Sequence, residues 1–397
     1  MSHTPPPQSP PPGTFRLPGG PAVWLGGAAL LVALVALIVA VAGSGGGSGP
    51  GETVGATSSG PRPSASSELP SLPDETPSAG PIVTDDPTPS SGTGGPTPSA
   101  PVDCPTASVT VNDARSLKAA LAMAQPGQSI RMADGTYTGR FTATTPGTAD
   151  QPIFLCGGAG AVIDGGGIKG GYAFHLDGAS YWRLAGFTVR NGQKGVVADQ
   201  VQGAVIQGLT VTQIGDEAIH LRKFSSDNVV RDNTISTTGL RRDKFGEGVY
   251  IGSAKSNWCT NSDCKPDASN NNVVIGNHIS ATTAESIDIK EGTTGGKVIG
   301  NTFDGSKLSG SSNDSWVDVK GNGWLVQGNT GRHSNGDGFQ THQILDGWGT
   351  GNIFKGNTAQ VDGPGWGFHL TSDGNTVACD NKVTGAAQGQ ANINCTR

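Results

Sequence analysis

Apolar positions recur along the C-terminal three quarters of the chain at intervals too short for domains and too long for single elements. One phrase is a short apolar run, then Gly or a polar residue, then Asn-x-apolar. It places Asn233, Asn277, Asn301, Asn329, Asn357 and Asn381 in one slot, spaced 44, 24, 28, 28 and 24 residues apart. Upstream, LAGFTV and VIQGLTV continue the series, with Phe187 and Leu209 in the slot. A second phrase falls between these and alternates apolar with polar. It begins at Phe174, Val196, Ile219, Val249, Ile287, Val317, Phe339 and Phe368. Period-two alternation predicts half-buried strands. Two or more strands per turn of about 22 residues predict a parallel β-helix whose coils bury their edges only against neighbours. Asn in a fixed slot can then hydrogen-bond from coil to coil. Asp113 to Ala124 has apolar residues at helical spacing and predicts a helix that caps the open N-terminal end.

Composition divides the chain. Of 26 prolines, 20 lie at or before Pro101, and the first 103 residues hold two basic against seven acidic side chains. Residues 1–21 read as a disordered proline-rich tail. Ala22 to Gly43 is uncharged and long enough to span a bilayer as a helix, and Arg16 points to the N-terminus inside. The run Ala40-Val41-Ala42 also has the form of a signal cleavage site. Residues 44–103 read as a disordered linker, and 104–397 as the folded head. The expected location is therefore the cell membrane, single-pass with the head outside, or secretion after cleavage. The 63 glycines exclude a long helical bundle. The head's near-balanced charge excludes a nucleic-acid binder driven by basic charge. We expect a monomer.

All six cysteines lie in the head, and an even count in an exported domain favours disulfides. Pairing is open on sequence alone. Proximity suggests Cys104–Cys156, Cys259–Cys264 and Cys379–Cys395.

If Ile219, Val249, Ile287, Val317, Phe339 and Phe368 face inward, an outward column follows: His220, Tyr250, Asp288, Asp318, Gln340 and His369. Two residues further lie Arg222, Gly252, Lys290, Lys320, His342 and Thr371. Just before the strands lie Glu217, Glu247, Glu285, Asp314 and Asp337. Coils about 4.8 Å apart would concentrate these groups on one face. Exposed ion pairs such as Asp288/Lys290 and Asp318/Lys320 on a solvated surface are the bland alternative. Trp316, Trp348, Trp366, the basic stretch from Arg241 to Lys244 and the Cys259–Cys264 loop are candidate walls of a groove.

The opening of the head, through GTADQPIFLCG and AVIDGGG, resembles right-handed parallel β-helix proteins of the pectate-lyase-like superfamily. It looks most like the branch holding alginate lyases and chondroitinase B. The resemblance runs from Asp103 to the C-terminus. It implies β-elimination on an acidic glycan, in which a cation or Arg neutralises the uronate carboxylate and Lys, Arg or His takes the C5 proton. On that basis Lys290, Lys320, His220, Arg222 and His342 are candidate catalytic residues, and a lysine base requires a lowered pKa. Tyr250, Gln340, His369, Arg241 and Trp316 are candidate substrate contacts. Glu285, Asp288, Asp318 and Glu247 are candidate calcium ligands. The branch's compact Asn, Glu-x-Glu, Lys set is echoed loosely by Glu285-Ser-Ile-Asp288-Ile-Lys290, with Asp for the second Glu and shifted spacing. The pectate-lyase, polygalacturonase and alginate-epimerase signatures are absent. The alternatives are a non-catalytic, adhesin-like glycan binder and, less favoured, a hydrolase using Asp288 and Asp318.

Overall fold

The computed structural model describes residues 100–310 and 313–397. The tail, the apolar segment Ala22 to Gly43 and nearly all of the linker lie outside the described residues. Among those described, no helix is long and apolar enough to cross a membrane.

The chain winds through three parallel sheets of 11, 10 and 10 strands, and each coil contributes one strand to each sheet. Val229–Arg231, Thr234–Ser236 and Val249–Ile251 form one such coil. This is the expected parallel β-helix. Ile219, Val249, Ile287, Val317, Phe339 and Phe368 stand in register along one sheet and face the interior. Aromatic rings fill the wider coils, with Phe339 stacked on Phe368 at 5.0 Å between centroids.

The recurrent Gly-Asn phrase has a conformational cause. Gly276, Gly300, Gly328 and Gly356 all take positive φ, between 60° and 68°. That geometry costs glycine little and turns the chain between two sheets. The following asparagine then points inward. Asn277 Nδ2 donates to Asn301 Oδ1 at 2.9 Å, and the pattern repeats through Asn329, Asn357 and Asn381. A second ladder at another corner joins Asn228 to Asn272, and Asn352 accepts from Trp324 N.

The capping helix spans Ala114–Ala122. Asp113 is its N-cap, and the Ser116 side chain completes a capping box. Leu117, Ala120 and Leu121 are its buried face against the first coil. The disulfides are Cys104–Cys156, Cys259–Cys264 and Cys379–Cys395, the proximity pairing.

Trp316 departs from its expected place. It lies in the core with its ring edge-on to Phe339, and Nε1 donates to His333 O at 3.1 Å. Gly331 makes the space, because a Cβ there would fall 2.3 Å from the Trp316 ring. Trp316 is therefore no substrate contact.

Candidate active site

The 44-residue interval between Asn233 and Asn277 builds the site. That coil carries two excursions. One follows Thr234–Ser236 and brings Lys244 and Phe245 over the column. The other follows Val249–Ile251 and brings Ala254, Ser256 and Asn257 over it. The second excursion holds the short helix Trp258–Asn261 and the Cys259–Cys264 disulfide. Asp267 anchors it by accepting from Ser253 Oγ and from the backbone N–H of Lys223 and Phe224. Between these walls lies a groove of about 430 Å³. Its lining includes Glu247, Tyr250, Glu285, Asp288, Lys290, Asp318, Lys320 and His342.

The column is therefore not a solvated strip. His220, Tyr250, Asp288, Asp318 and Gln340 are all buried, although they point away from the core. Unpaired charge in such a place is costly, and the pairing is dense. Lys290 Nζ lies 2.6 Å from Asp288 Oδ2. Lys320 Nζ bridges Asp288 Oδ1 at 2.7 Å and Asp318 Oδ2 at 2.5 Å. His342 Nδ1 meets Asp318 Oδ1 at 2.8 Å.

These contacts set the protonation states. Burial opposes charge on both lysines, but Asp288 outweighs it, so Lys290 and Lys320 are held well above the usual lysine range. They are cations. The expected lysine base is corrected, because the charge beside each lysine is negative rather than positive. Burial opposes ionisation of Asp318 too, but Lys320 and His342 hold it below the usual carboxylate range. The bond to Asp318 raises His342 above its ordinary value despite burial. That bond occupies Nδ1 and leaves Nε2 as the ring's open nitrogen.

Two acids behave oppositely. Burial, and then the charge of Asp288, pushes Glu285 up to about 8. Burial, and then Glu217, pushes Glu247 well above its ordinary range. Tyr250 stays protonated because burial and Asp288 disfavour the phenolate. A consequence for stability follows. Glu285 is raised in the fold, so the unfolded chain releases that proton first and stability declines between about pH 4.5 and about pH 8. Glu285→Gln should flatten this decline in urea midpoints taken across that window. An unchanged slope would mean Glu285 ionises as an exposed glutamate does.

The structure does not bring the other candidates into the groove. His220 is buried and kept neutral by burial and by Lys194. Its Nε2 meets Gly252 O at 2.9 Å and its Nδ1 meets Lys194 Nζ at 3.2 Å, which leaves no nitrogen open for proton transfer. Arg222 is forked onto Asp199 and bonds the Tyr172 hydroxyl. Arg241 is committed to the buried Asp216. Gln340 donates to Asp337 at 2.7 Å, and His369 Nδ1 meets the same carboxylate at 2.8 Å. Neither is among the groove-lining residues. Sequence reading missed Phe245 and Asn257 as wall residues; the oversized coil interval was the available clue.

Glu247, Glu285 and Asp288 bring carboxylate oxygens within 4.8 Å of one another, and Glu247 Oε2 is buried without a partner. Calcium nevertheless fits this set poorly. It needs six to eight oxygens, and both Asp288 oxygens already carry ammonium groups. Asp318 is likewise taken by Lys320 and His342. The lysines stand where a cation would.

No protein-family model matches the chain, and no curated protein does. Among solved structures, an alginate lyase from Paenibacillus sp. str. FPU-7 is 35% identical, over 72% of this chain and 98% of that chain, with a TM-score of 0.66. The pectate lyase Pel9A matches at 13% identity, over 67% of this chain and 72% of that chain, with a TM-score of 0.47. A mannuronic acid specific polysaccharide family 6 lyase from human gut microbiota matches at 12% identity, over 70% and 82%, with a TM-score of 0.40. The chain belongs to the alginate-lyase-like family of right-handed parallel β-helix proteins.

Proposed function

We propose that this protein is a polysaccharide lyase that cleaves a uronate-containing glycan by β-elimination. The observation that carries the reading is a groove floored by two ammonium groups, Lys320 buried and Lys290 partly buried, and by two carboxyls held protonated. A sugar carboxylate set against Lys290 and Lys320 accepts hydrogen bonds from both ammonium groups without a metal. Protonated Glu285 can donate a hydrogen bond to it. Both effects strengthen as negative charge develops on the carboxylate in the transition state. His342 Nε2, in the neutral ring, takes the C5 proton. The C5–H electron pair becomes the C4=C5 double bond, and the C4–O4 bond breaks. The departing O4 takes a proton from the hydroxyl of Tyr250, which lines the groove. The identity to an alginate lyase makes alginate the first substrate to assay. Near-ultraviolet absorbance of the unsaturated product is the readout. Binding without turnover on any polyuronate would support the non-catalytic glycan binder instead.

The charge states predict a bell-shaped profile for kcat/KM. Activity should rise as His342 loses its proton, above the ordinary histidine value, and fall as Glu285 ionises around pH 8. In Glu285→Gln the alkaline limb should move or vanish; a limb unchanged in that variant would remove Glu285 from the reaction. Turnover should also survive exhaustive chelation with EDTA. A loss restored by calcium would overturn the lysine-based account.

We also propose that the chain is exported, held by Ala22 to Gly43 or released after Ala42. Three disulfides and no free cysteine among the described residues support an oxidising compartment.

A further inference from the structure

Beside the groove, toward the N-terminal end of the β-helix, lies a second hollow of about 300 Å³. The two share Phe245, Tyr250 and Asn257 in their linings, so they adjoin. Lys194, Arg222 and Arg242 line the second hollow. The acids behind it are outnumbered by cations. Asp216 is fully buried and shared by Arg241 and Arg242. Asp199 is shared by Arg222 and Lys223. Lys194 is matched singly by Glu217 at 2.6 Å. Each of the two arginine-bearing acids thus leaves one positive charge in excess, and Asp267, buried behind the lining Ser253, offsets one of the two. Arg242 is half exposed and held between Asp216 and the Phe245 ring, its Cζ 4.0 Å from the ring centroid, so its guanidinium is positioned before any ligand arrives.

We propose that this hollow is a second carboxylate subsite, which holds a further uronate unit of the same chain while the bond is cut in the groove. The proposal rests on the lyase reading and adds the direction and length of substrate that the site selects. The strand bearing Arg222 lies two coils before the strand bearing Lys290. At the coil spacing this is about 10 Å along the axis, the reach of two sugar units in an extended glycan. The glycan therefore runs along the β-helix axis, and the hollow rewards substrates with an acidic unit at that distance. A neutral glycan would leave its excess charge unanswered. Arg242 is the residue to test, because it is half exposed while Arg241 keeps Asp216 paired in its absence.

The test compares alginate polymer with alginate disaccharide, which is too short to reach the hollow from the groove, for the wild type and for Arg242→Gln. The polymer-to-disaccharide ratio of kcat/KM should fall about tenfold in the variant, the size of one lost charge-assisted contact. Lys194→Gln should lower the same ratio. A ratio unchanged in both variants overturns the subsite while leaving the lyase reading intact. Absence of turnover by the wild type on both substrates overturns the lyase reading, and the subsite is then judged by alginate binding: equal affinity of wild type and Arg242→Gln overturns it as well. Unchanged thermal melting in the variants excludes misfolding as the cause of any loss.

Discussion

Lys290→Met is expected to lower kcat on alginate by about 10²–10³-fold with a much smaller change in KM, the range seen when one preorganised stabiliser of transition-state charge is removed. Lys290 is one of two ammonium groups on Asp288, so the variant leaves Lys320 bridging Asp288 and Asp318. Both carboxylates keep Lys320 as a partner although one negative charge is left unbalanced, so the fold should be retained with a modest fall in melting temperature. A loss in kcat with KM preserved identifies an interaction made mainly in the transition state. Unchanged turnover would show that Lys290 only balances Asp288. Lys320 is a poorer choice, because its removal strips a partner from two buried acids at once.

The second large effect is on stability. Asn277 Oδ1 accepts from Asn233 N at 3.0 Å and from Asn233 Nδ2 at 2.9 Å. Its Nδ2 donates to Asn301 Oδ1 at 2.9 Å and to Val230 O at 3.0 Å. All these groups are buried, and truncation leaves several of them unpaired at about 1–3 kcal/mol each. Asn277→Ala should therefore cost about 4 kcal/mol in urea unfolding. His278→Ala, next along the strand and exposed, should cost less than about 0.5 kcal/mol. Equal losses at the two positions would mean the ladder is not what holds the coils together.

The period of the β-helix, its inward-facing apolar residues and the first asparagine ladder could be read from the chain because each recurs at a fixed slot. The second ladder could not. Asn272 follows two other asparagines, and its slot carries Trp324 in a later coil, so no repeating phrase marks it. The column's register was legible from alternation alone, but its burial was not. Burial comes from Lys244, Phe245, Ser256 and Asn257, brought over the column by excursions that break the repeat. Protonation state depends on that burial and on distances set by rotamers, so Lys290 reads as a base in sequence and stands as a cation in the fold. Trp316 shows the converse: its inward turn depends on Gly331, which lies in the next coil.

The central claim is that this groove eliminates rather than hydrolyses. Digestion of alginate in water enriched in oxygen-18, followed by mass spectrometry of the oligosaccharides, tests it directly. The lyase account predicts unsaturated new ends, a summed product mass equal to that of the substrate, and no label incorporated by cleavage. Saturated products, one water heavier per cut and carrying the label, would contradict it and assign Asp288 and Asp318 to hydrolysis.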